Sequence, residues 1–125
     1  MSPNEFVSEE GLSLREISRI LEAEVLSGEA WLDQYVVKKI AATDLMSGVL
    51  AHSQPGTLLL TNLSNIQVVN TAGVAGLSGV VFLCGARPPG TVIQKAETLE
   101  LATMVTGHNT LTACGLLFDW GGAGP

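Results

Sequence analysis

Residues 57–84 read TLLLTNLSNIQVVNTAGVAGLSGVVFLC. The segment opens on Thr57–Thr61, a continuous apolar run of the kind found in a strand covered on both faces. It closes on Val80–Cys84 (VVFLC), a second run of the same kind. Between them, Asn62 and Ser64 are candidate caps for a helix from about Asn65 to Ala75, with Gly76 as its stop. Strand, helix and strand in this order define an α/β layer architecture.

The same alternation extends outward. Ser13-Leu14-Arg15-Glu16 reads as a capping box, and Leu14, Ile17, Ile20 and Leu21 place one apolar face on a helix ending near Glu22. Glu24–Ser27 is a short strand, Gly28–Asp33 a turn, and Val36–Thr43 a β-branched strand. Asp44 is expected to cap the next helix, with Leu45, Val49 and Leu50 on its buried side. Pro55-Gly56 is a turn. After Cys84, the Arg87-Pro88-Pro89-Gly90 loop starts a helix through Thr98. Leu101–Val105 is a fifth strand, and Thr110–Phe118 a last helix. The expected fold is a three-layer α/β/α sandwich on a largely parallel, five-stranded sheet. One domain spans 13–118, between a flexible acidic segment at 1–12 and a loose glycine-rich tail at 119–125.

Charge is distributed unevenly. The 125 residues hold 12 acidic and 6 basic side chains, a formal −6. Residues 1–33 account for all of it, with eight acids and two bases. No charged residue lies between Asp44 and Arg87, a gap of 42 residues. Residues 66–85 within it have the length of a membrane span. Gln67, Asn70, four glycines and the lack of a nearby basic flank argue instead for a buried helix, a turn and a buried strand. The gap is then the core, plus a possible dimer face, and the acidic first third is the solvated part. Acidity without a basic cluster argues against nucleic acid and against an anionic membrane surface. Two cysteines, Cys84 and Cys114, and no leader pattern point to free thiols in a reducing cytoplasm.

In a mostly parallel sheet, ligands sit at the loops after the strand C-ends. Here those loops carry Thr43-Asp44, Thr61-Asn62, Cys84-Gly85 and Thr106-Gly107-His108-Asn109. Threonine, asparagine and glycine supply neutral hydrogen bonds, suited to a polar ligand near helix N-termini. They also cap helices, and capping accounts for part of the pattern. Asp44, Thr61, Asn62, Gly85, Thr106, His108, Asn109 and Thr110 are the expected ligand-binding residues.

No catalytic residue is assigned. Cys84 and His108 can approach one another, but no third orienting group is evident. No phosphate loop, GxGxxG, CxxC or HExxH occurs, so no metal or cofactor is called for. Gly73, Gly76 and Gly79 read as close helix-on-sheet packing and a helix stop.

Four stretches then carry a resemblance to the DRTGG domain family: LREISRILEAEVLSGE (14–29), VVKKIAATDLMSGVLAHSQPGTLLLT (36–61), GVAGLSGVVFLCGARPPGTVIQKA (73–96) and MVTGHNTLTA (104–113). The chain departs from the family's namesake pattern. Asn62-Leu63-Ser64 has no Asp-Arg pair, and Leu83-Cys84-Gly85 has a single glycine. The resemblance implies an α/β sandwich similar to the N-terminal domain of HPr kinase. It also implies a regulatory, dimer-forming role like that of the domains found beside CBS domains in regulated pyrophosphatases. The expectation is therefore a non-enzymatic module that forms a homodimer and binds a small polar metabolite or nucleotide. The alternative is pure assembly through uncharged surface within 45–86. An enzyme using Cys84 and His108 is a third possibility.

Overall fold

The computed structural model describes residues 5–52 and 54–120. Six strands and five helices follow one another as β1 (Glu5–Ser13), α1 (Leu14–Ile20), β2 (Glu24–Ser27), β3 (Val36–Ala42), α2 (Met46–His52), β4 (Thr57–Thr61), α3 (Ile66–Ala75), β5 (Gly79–Phe82), α4 (Gly90–Thr98), β6 (Ala102–Val105) and α5 (Thr110–Trp120). A 3₁₀ turn at Glu29–Trp31 joins β2 to β3. The sheet order is β1-β3-β4-β5-β6-β2. β3, β4, β5 and β6 are mutually parallel, and β1 and β2 flank them antiparallel.

The central strands are covered on both faces, as their unbroken apolar runs require. Side chains alternate across a strand, so Leu58, Leu60, Val81 and Leu83 point one way. They meet Leu14 and Ile17 of α1, its C-cap Leu21, and Ala113 and Leu117 of α5. Leu59, Val80 and Phe82 point the other way, to Met46 and Val49 of α2, Val68, Val69 and Ala72 of α3, and Val92 and Ala96 of α4. The three-layer α/β/α sandwich is therefore as expected. Glycine serves this packing in one place and a helix stop in another. A Cβ on Gly79 would lie 3.1 Å from the Ala102 carbonyl oxygen, and Gly76 ends α3 at φ +70°.

Three expectations are corrected. The sheet has six strands, not five, because Glu5–Ser13 pairs antiparallel with β3 from Glu5↔Ala41 to Ser13↔Val36. Edge pairing runs through backbone groups, so a polar segment with no hydropathy signal can still join a sheet. In α2, Met46 and Val49 are buried, while Leu45 and Leu50 are 64% and 53% exposed. The helix begins one residue later than Leu45, which turns its apolar face onto Met46. The α3 cap is Asn65, whose side chain accepts from the Val68 N–H, rather than Asn62 or Ser64. The capping box of α1 is present as read, with Ser13 and Glu16 bonded reciprocally. α5 runs two residues past Phe118, and the tail beyond Trp120 lies outside the described residues.

Thr57, at the start of β4, is fully buried, and its hydroxyl has no hydrogen-bond partner among the described residues. Replacing it by the isosteric valine removes a desolvation cost. Thr57→Val is expected to raise stability by about 1 kcal/mol, and Leu59→Ala and Leu60→Ala each to lower it by about 2–5 kcal/mol. Urea unfolding checks all three. A near-neutral result for either leucine would mean that its face of β4 is not covered.

Candidate functional site

The four parallel strands all end at one edge of the sheet, and the loops that leave them are tied together there. After β3, the Thr43 hydroxyl accepts from the Leu45 N–H at 3.0 Å. That leaves the Asp44 carboxylate free to reach across to the β4 loop instead of capping α2, as the sequence suggested. It accepts from the Thr61 hydroxyl at 2.8 Å, the Asn62 N–H at 2.7 Å and the Asn62 side-chain amide at 3.2 Å. Partial burial pushes the Asp44 carboxyl up, but these three donors together outweigh it. Its pKa lies below the ordinary aspartate value.

The next link is from β4 to β5. The Cys84 thiol lies 3.5 Å from the Asn62 side-chain oxygen. Cys84 and Gly85 adopt left-handed φ values of +58° and +69° in succession. The first is uncommon for a residue with a Cβ, and it turns two N–H groups toward the β6 loop. Cys84 N–H donates to the His108 carbonyl at 2.9 Å, and Gly85 N–H to the Thr106 carbonyl at 2.8 Å. The Thr106 hydroxyl donates to the Leu21 carbonyl at 2.6 Å and accepts from the His108 N–H. Asn109 caps α5 by accepting from the Thr112 N–H at 2.9 Å.

The structure thus places all eight expected residues along this edge, in different capacities. Thr61 and Thr106 are buried and their hydroxyls are consumed holding loops. Asn109 is committed to its helix, with Thr110 opening the first turn. Asn62, Gly85 and the His108 ring remain wholly or partly open to solvent.

Two side-chain contacts that no spacing in the sequence singles out border the site. Arg87 makes a two-pronged contact with Glu24, at 2.8 Å for each prong, tying the β5–α4 loop to β2. His108 Nε2 lies 3.4 Å from Glu22, itself at φ +52°. Both pairs bring residues from the first quarter of the chain to loops that form much later. Only the sheet order reveals them.

Cys84 and His108 meet through backbone. The thiol is directed to Asn62 and the imidazole to Glu22. Cys84 and Cys114 are both free, and burial raises the pKa of the Cys114 thiol. Among the described residues, no group of His, Cys, Asp and Glu is placed to hold a metal ion. None of their helices is long and apolar enough to cross a membrane.

The molecule is of the α/β/α class, with parallel strand ends laced together by short polar loops. The chain matches the DRTGG domain over residues 16–118 and belongs to that family. A similar solved structure is the CBS and DRTGG domains of the regulatory region of Clostridium perfringens pyrophosphatase, complexed with its activator, diadenosine tetraphosphate. The TM-score is 0.73 at 18% identity, over 89% of this chain. Our chain spans 48% of that one, so the likeness concerns the fold of one part of it. No curated protein matches the sequence.

The Asp44 clamp has a defined pH signature. Its folded-state pKa is depressed, so its stabilisation is present above the unfolded-state value and is lost as pH falls through the folded value. At neutral pH, Asp44→Ala is expected to cost about 1 kcal/mol, kept small by solvent exposure. Unfolding curves of both proteins should converge as the pH drops below the carboxylate range.

Proposed function

We propose that this DRTGG domain is a non-enzymatic regulatory module that senses a small polar metabolite or nucleotide at the C-terminal edge of its sheet. The observation that supports it best is the continuous chain of hydrogen bonds from Asp44 through Asn62 and Cys84 to His108 and Thr106. It ties the four loops to one another. A ligand touching Asn62 or Gly85 therefore alters the packing of every parallel strand end, which is what a population shift requires. The N-termini of α3 and α5 open onto the same edge and favour anionic or strongly polar groups. Nucleotide binding by the pyrophosphatase regulatory region is in keeping with this reading.

Self-association is the second half of the proposal. Leu45, Leu50, Ile66 and Val74 are 64%, 53%, 43% and 80% exposed on or beside α2 and α3, within the charge-free stretch. Depletion of charge marks interface cores. The same exposed residues support the alternative of a pure assembly module. A soluble domain of the cytoplasm suits both readings.

Thermal unfolding with a nucleotide panel, diadenosine tetraphosphate included, tests the ligand half. A specific ligand at about 100 times its Kd should raise the Tm by about 10 °C. Asn62→Ala should remove the rise while leaving the unliganded Tm within a few degrees. No shift with any nucleotide at millimolar concentration would defeat it.

Sedimentation equilibrium tests the other half. The wild type is expected to be dimeric and Val74→Lys monomeric. A ligand-blind dimer would favour pure assembly.

A further inference from the structure

The opposite edge of the sheet holds a cavity of ≈ 310 Å³. Its wall is built by the residues that lead into the four parallel strands. Tyr35 precedes β3, Gly56 precedes β4, Ser78 precedes β5 and Leu101 precedes β6. The remaining wall comes from the ends of two helices. Gly76 terminates α3, and Glu100 follows the end of α4. The volume lies at the lower end of the range for small-molecule sites.

The electrostatics of this wall have one sign. A helix carries partial negative charge at its C-terminus, shared here with the cap N–H groups that bond Ala72 and Gly73 of α3 and Lys95, Ala96 and Glu97 of α4. α3 and α4, of ten and nine residues, both end here. Glu100 adds a full carboxylate, and no basic residue lines the cavity among the described residues. Glu100 also sits at φ +55°, a left-handed conformation that costs a residue with a Cβ free energy. Tyr35 contributes an aromatic ring, whose face attracts cations. A Cβ built on Gly56 or Gly76 would meet nothing within 4 Å, so the space beside them is open.

We propose that this cavity is a binding site for a small organic cation, an ammonium or guanidinium group on a short apolar body. The charged head would lie against the Glu100 carboxylate and the two helix ends, and the apolar part along Tyr35 and Leu101. The site is independent of the sensing edge and stands or falls separately from it.

The test is amide chemical-shift mapping on the intact chain with phenethylamine, using phenethyl alcohol and phenylacetate as neutral and anionic counterparts. Phenethylamine at millimolar concentration is expected to shift the amides of Gly56, Gly76, Ser78 and Glu100. Phenylacetate should leave them unmoved. Glu100→Gln should weaken amine binding about tenfold, as for loss of a charge-assisted hydrogen bond. Glu100→Gly should do the same while keeping or raising the Tm, because glycine accepts the left-handed backbone. Absence of these shifts, equal binding of the alcohol, or unchanged binding in both variants would overturn the assignment.

Discussion

The pairing of β4 with β5 is the constraint on which the rest of the molecule depends. Leu58 to Thr61 lie alongside Gly79 to Phe82, and all eight residues are buried. A strand pair wrapped in helices on both sides has no face on which to place a charge. The 42-residue gap between Asp44 and Arg87 is the sequence's record of that geometry. It fixes where the polar chemistry can go. Charged and hydrogen-bonding side chains are pushed to the two ends of the strands, where Asp44 and Arg87 stand at one end and Glu100 at the other. A sheet of this kind sorts its helix termini in the same way, N-termini to one edge and C-termini to the other.

The layers and most elements were legible because they depend on local pattern. TLLLT and VVFLC read as doubly covered strands, and Ser13 and Glu16 as a reciprocal cap. Each signal lies within a few residues of the element it specifies. What escaped the sequence depends on distance. β1 joins the sheet through main-chain groups, which leave no trace in composition. Asp44 resembles a helix cap until the β4 loop arrives beside it and offers three better-placed donors. Asn65 then does the capping that Asn62 seemed placed to do. The candidate site was legible as a set of loops and not as a network. The links Glu24–Arg87 and Glu22–His108 cross 63 and 86 positions of sequence, and no spacing rule reaches so far.

Membership of the DRTGG family frames what is particular about this chain. Where the family's namesake loop carries an Asp-Arg pair, this one has Asn62-Leu63-Ser64. Its second namesake loop keeps one glycine, with Cys84 taking the left-handed turn before it. The cationic group closest in sequence to these loops is Arg87, which is occupied by Glu24. The edge is thus stitched by an aspartate and an asparagine, with its one arginine already engaged. Any partner of the edge meets neutral dipoles around the Asp44 carboxylate, with the Arg87–Glu24 pair at the border.

The antiparallel strands at the two rims of the sheet bear on how the protein behaves in a crowded solution. Unpaired rims recruit other chains, and proteins commonly guard them with charge. Here β1 contains Glu5, Glu9 and Glu10, and β2 begins at Glu24. Half of the eight acids of residues 1–33 thus belong to the two strands where intermolecular strand addition would begin. The guard on β2 outlasts mild acid, because Arg87 holds the Glu24 carboxyl below the ordinary glutamate value. A contact that ties a loop to a strand thus also keeps charge on a rim.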